Sequence, residues 1–87
     1  MIDYVLEVRR YLTEYSNETE ELIAEYDLQS FDLKLFQMEF CGPDSDNQMF
    51  DCYSIKESNV KFLKMHLVKE PEWDFVEKSY FVEAHAI

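Results

Sequence analysis

Cys41, Cys52, His66 and His85 together carry the ligand types of a Cys2His2 zinc site. Structural zinc sites hold their ligands in close pairs, separated by about two to five residues, because one short turn then aims both donors at the ion. Here ten, thirteen and eighteen residues intervene between successive candidates. No metal is expected, and the four side chains read as packing or rim groups. A cysteine nucleophile paired with His66 or His85 would need nearby positive charge to hold its thiolate, and a third group to orient the base. Cys41 opens an acidic loop and Cys52 follows Asp51, so both surroundings favour the neutral thiol.

The 19 Asp and Glu residues suggest acid–base pairs. Such pairs work in a cleft that drives their pKa values apart, and a chain of 87 residues has little depth for one. Asp44-Ser45-Asp46-Asn47 resembles the start of a calcium loop, but the Gly and the closing bidentate Glu are missing from their places. No catalytic residue, cofactor or metal ligand is assigned, and an enzyme is the least favoured of the function classes.

At 10.5 kDa the chain is expected to form one domain over residues 1–87. Hydrophobic residues make up 47% and aromatics 16% of it, too many for a disordered acidic tail. The net charge is −11 and the pI near 4.4. Nucleic acid and anionic membrane are polyanions and are excluded as partners on that ground. A basic protein is the complementary choice. The first seven residues have no basic start, and no run of about 18 apolar residues occurs, so a cytoplasmic protein with reduced thiols is expected.

Charge is unevenly placed along the chain. Residues 1–30 carry eight acids against two bases, residues 31–55 five against one, and residues 70–87 five against one. Residues 56–69 invert the sign, with Lys56, Lys61, Lys64 and Lys69 against Glu57, which reads as a solvated helix face. Trp73 stands among Glu70, Glu72 and Asp74. That mix suits a binding hot spot ringed by steering charge; a ring that caps the core would look the same. The candidate partner-binding residues are Trp73 with Glu70, Glu72 and Asp74, the loop acids Asp44 and Asp46, and Asp51.

The elements that would position them follow from periodicity. Residues 3–12 read as a strand with Tyr4, Leu6 and Val8 on one face and Glu7 and Arg9 on the other. Residues 13–19 read as a polar turn. A second strand is expected at about 20–28 with Leu22, Ala24, Tyr26 and Leu28 inward, although Glu20 to Glu25 also has helical propensity. Ser30 is the expected N-cap of a helix over 31–40, with Asp32 near its positive end and Phe31, Leu33, Phe36 and Phe40 on the sheet. Residues 41–48 form a loop and residues 49–55 a third strand. Residues 57–67 suit a second helix with Val60, Leu63 and Leu67 inward, closed by Pro71. Residues 72–78 fit a turn, a short helix or an extended segment equally. Residues 79–86 are the fourth strand. The predicted fold is therefore α+β, an antiparallel sheet with two helices in the order ββαβαβ.

Three stretches carry a resemblance: Tyr4-Val5-Leu6-Glu7-Val8 followed by Glu20 to Leu28, Met49 to Lys56 running into Phe62-Leu63, and Tyr80-Phe81-Val82-Glu83. Together they resemble the small acidic immunity proteins of bacterial toxin systems, of the colicin and contact-dependent growth inhibition type. The resemblance implies a non-catalytic cytoplasmic inhibitor that binds one basic toxin domain, and it does not identify that toxin. The acidic charge suits a nuclease, whose surface is positive for phosphate, and a 1:1 complex is expected. It transfers no functional residue position by position. The alternative is a phage-encoded acidic mimic of nucleic acid that inhibits a host DNA-binding enzyme. It would need regular rows of carboxylates, and the basic stretch at 56–69 counts against it.

Overall fold

The computed structural model describes residues 2–3, 8–42 and 47–86. The elements are β1 (Ile2–Asp3), β2 (Val8–Ser16), β3 (Leu22–Asp27), α1 (Leu33–Phe40), β4 (Tyr53–Ser54), α2 (Val60–Lys64) and β5 (Lys78–Ala86), with a 3-10 turn, Glu57–Asn59, leading into α2. Apart from the two-residue β1, the order is ββαβαβ. The fold is α+β, with an antiparallel sheet and two helices.

β2 and β5 form the centre of the sheet, paired from Val8↔Ala86 to Ser16↔Lys78. β4 lies on the far edge of β5. β1 and β3 share the other edge of β2, at its two ends. Residues directly opposite in a ladder share a face. One face therefore carries Arg10, Leu12, Glu14, Tyr26, Tyr80 and Val82, and the other carries Arg9, Tyr11, Thr13, Tyr15, Phe81 and Glu83. The first face is covered. Leu12, Tyr80 and Val82 pack with Leu28, Phe36, Met49, Ile55, Leu63 and Leu67 in one cluster. Phe36 of α1 lies at its centre, with ring centroids 4.5 Å from Phe31 and 5.0 Å from both Phe62 and His66. After β3, the chain pairs with the chain after α2 through a Leu28↔Leu67 bridge.

Several local expectations are corrected. Among the described residues the first long strand is Val8–Ser16, which runs past the expected end at residue 12, so the turn begins only at Asn17. Tyr4, Leu6 and Glu7 of the expected strand lie outside the described residues. Glu14 hides the true end of the strand from sequence. It is a buried acid that accepts from the Tyr26 hydroxyl at 2.6 Å and from Lys78 Nζ at 2.9 Å. Leu22 is exposed rather than inward. Glu14 pairs with Ala24 but Tyr15 with Leu22, so Ile23 is an extra residue in β3 and the alternation slips at that bulge.

Asp32, not Ser30, caps α1, accepting from the Leu35 amide at 3.2 Å. Ser30 Oγ instead lies 3.0 Å from His66 Nδ1. The third strand contracts to Tyr53–Ser54, and the second helix ends at Lys64. Residues 75–77 form a turn, held by Asp74, whose carboxylate accepts from the amides of Val76 and Glu77 at 3.1 Å each. Among the described residues, no helix is long and apolar enough to cross a membrane.

Candidate functional site

The clearest surface feature lies where the β2–β3 turn meets the segment entering β5. Ser16 builds the turn, its hydroxyl accepting from the amides of Glu18 and Thr19 at 3.2 Å each. The Asn17 amide then donates to the Glu77 carbonyl at 3.0 Å, and its Nδ2 donates to the Val76 carbonyl at 3.2 Å. These bonds hold two exposed apolar side chains, Ile23 and Val76, in the walls of one open hollow of about 350 Å³, with Glu18 and Glu77 beside them. Ile23 also lines a neighbouring hollow of about 300 Å³ with Glu70, Pro71 and Glu72. Lys78 lines both, but it is ion-paired to Glu14.

Glu20 belongs to the same turn with φ of +62°, a left-handed conformation that disfavours any side chain with a Cβ. A carboxylate thus stands where glycine would be at ease.

The predicted partner-binding residues are divided. Glu70 and Glu72 lie on this acidic end. Trp73 and Asp74 line a neighbouring groove, of about 800 Å³, with Phe75 and the lysines of α2, Lys61 and Lys64. Val76 borders both this groove and the hollow it shares with Ile23. Trp73 stacks nearly parallel on Phe75 at 5.7 Å, meets Tyr80 at 4.8 Å, and donates its Nε1–H to Glu70 at 3.0 Å. It therefore packs against the core, with cations rather than a full ring of acids at its outer edge. Asp51 is exposed in the segment before β4. Asp44 and Asp46 lie outside the described residues.

Sequence reasoning missed the contributions of Ile23, Val76, Glu18 and Glu77. A signal for the first was present: Leu22 and Ile23 are adjacent apolar residues in a strand, and two neighbours cannot both face one core.

Catalytic chemistry finds few partners in this arrangement. A third hollow, of about 430 Å³ on the helix-free face, is lined by Tyr15, Glu20, Cys52, Ser79 and Phe81 among others. None of its lining residues is a histidine. Partial burial pushes the Cys52 thiol up and the Glu83 charge adds to this, which disfavours the thiolate. His66 is buried between the rings of Phe36 and Phe62, and His85 is exposed near the end of β5, opposite Arg9. Among the described residues, no three of His, Cys, Asp and Glu converge as metal ligands would.

The fold and this surface define a small α+β protein whose most distinctive exterior is an acid-rimmed apolar patch. Residues 9–83 match the model of DUF7683, a domain of unknown function, and the chain belongs to that family. No curated protein and no solved structure matches it.

Proposed function

We propose that this chain is a non-catalytic binding protein of the toxin-immunity kind, which neutralises a basic protein in the cytoplasm by forming a 1:1 complex with it. The observation that carries the reading is where the charges are spent. Arg10 is buried and donates to the carbonyls of Gln48 and Met49. Arg9 is paired with Glu25 and Asp27 at 3.0 Å each, and Lys78 with Glu14. Three of the eight Lys and Arg residues thus face inward or are neutralised locally, and of the exposed lysines, Lys56, Lys61, Lys64 and Lys69 fall in the one basic stretch. Glu18, Glu20, Glu21, Glu70, Glu72 and Glu77 stay exposed. A field of this sign speeds encounter with a cationic surface, such as that of a nuclease domain, and repels nucleic acid itself.

The test is co-purification from the native host with mass spectrometry, followed by expression of the captured protein with and without this chain. A basic protein recovered in equal amount, toxic alone and harmless in its company, is the expected result. Recovery of an acidic protein, or toxicity that this chain leaves unchanged, overturns the reading.

A further inference from the structure

We propose that the basic partner docks on the turn end of the sheet, seating an apolar side chain against Ile23 and Val76 while its flanking arginines or lysines meet the surrounding glutamates. Ile23 is 49% and Val76 87% exposed, and neither belongs to the core cluster. Ile23 is the bulged residue of an edge strand, so a polar side chain would fit there without disturbing packing. The two apolar groups share one hollow with Glu18 and Glu77, and Ile23 shares the next with Glu70 and Glu72. Lys69 is the one lining cation outside an ion pair among the described residues.

An apolar centre inside a charged rim is the anatomy of a protein hot spot. The rim sets the rate of encounter and the centre sets the rate of escape. The Asn17 bonds to residues 76 and 77 hold the surface ready-formed, which lowers the ordering cost of binding. A polyanion is repelled by the glutamates, and a second copy presenting the same end is repelled likewise. The docking surface rests on the preceding reading in one respect, that the occupant is a protein of positive charge.

The experiment uses a phage-displayed library of random peptides as the probe, selected on the full chain at low salt. The best sequence is then synthesised and titrated by fluorescence anisotropy. Expected is a consensus of Arg or Lys around one large apolar residue. Its binding should fall at least tenfold in the Ile23→Ser, Val76→Ser double variant and in Glu18→Lys, Glu77→Lys, and be no weaker in Lys61→Ala, Lys64→Ala, whose lysines border Val76 on the far side. All these positions are exposed, and circular dichroism verifies each fold. An acidic consensus, no enrichment, self-association in place of peptide binding, or binding indifferent to the serine variant overturns the proposal. A captured host protein that binds all variants equally overturns the surface and leaves the immunity reading standing. Host capture that returns nothing basic overturns that reading instead.

Discussion

The side chain of Asn17 is held by both Val76 and Ser79: its Nδ2 donates to the Val76 carbonyl at 3.2 Å and its Oδ1 accepts from Ser79 Oγ. With the main-chain bond from Asn17 to Glu77, one residue of the β2–β3 turn fastens the chain just before and within β5. Asn17→Ala removes both side-chain bonds while keeping the main-chain one. The expected cost is about 1 kcal/mol, typical of solvent-accessible hydrogen bonds. Urea denaturation should show a lower midpoint at an unchanged slope.

Glu20 offers a test with the opposite sign. Its φ of +62° strains any residue bearing a Cβ, by about 1–2 kcal/mol. Glu20→Gly should therefore raise stability by about 1 kcal/mol in thermal or chemical denaturation. The same change removes a carboxylate from the acidic end, so association with a basic partner should slow even as the fold strengthens. Loss of stability in Glu20→Gly would show that the turn tolerates glutamate without strain.

Phe36 tests the core. Its side chain is fully buried among Phe31, Phe40, Phe62 and His66. Phe36→Ala should cost about 3–5 kcal/mol, read as a shift in the guanidinium midpoint. Phe36→Leu, which keeps most of the volume, should cost distinctly less.

Arg10 tests a polar element of the core. Its guanidinium lies 4.6 Å from the Phe31 ring and donates to the carbonyls of Gln48 and Met49. Arg10→Ala would strand both acceptors and open a void, costing about 3 kcal/mol or more. Arg10→Lys should recover only part of this, because an ammonium cannot reproduce the planar fork. Full recovery by lysine would show that charge alone matters.

Alkaline pH should loosen the fold in a defined window. Burial, reinforced by the hydrogen bond to Glu14, pushes the Tyr26 hydroxyl up to about 12. Tyr11, Tyr15, Tyr53 and Tyr80 are also raised, chiefly by burial. A phenol raised in the folded state keeps its proton there after the unfolded chain has lost it. Stability is therefore whole below about pH 10, where unfolded tyrosine begins to ionise, and drains away as pH rises toward about 12 for Tyr26. Absorbance at the phenolate band should show late ionisation coinciding with loss of ellipticity. In Tyr26→Phe the decline should be shallower.

Some of this was legible in the residues and some was not, for identifiable reasons. Tyr80-Phe81-Val82 marks β5 because aromatic and β-branched side chains favour the pleated surface, and Phe36 and Leu63 stand out by helical spacing. The end of β2 escaped because Glu14 is buried through a partner 64 residues away, Lys78, and no local rule places an acid on a core face. The slip at Ile23 escaped because one inserted residue reverses the alternation without changing composition. Glu70 and Glu72 could be picked out as surface acids. Their neighbourhood with Ile23, and that of Trp73 with Lys61 and Lys64, depends on how distant segments pack.

The pairing of β2 with β5 has a consequence for how the chain acquires its shape. The central ladder joins strands far apart along the chain, and the contact from Thr13 to Glu83 spans 70 positions. A growing chain leaving the ribosome therefore has no central partner for β2 until β5 has been made. Such non-local closure slows folding and leaves the β2 edge open to stray pairing in the meantime. Loss of β5 would remove half of the central ladder, so truncation before Lys78 should leave a chain that proteases and chaperones treat as unfolded.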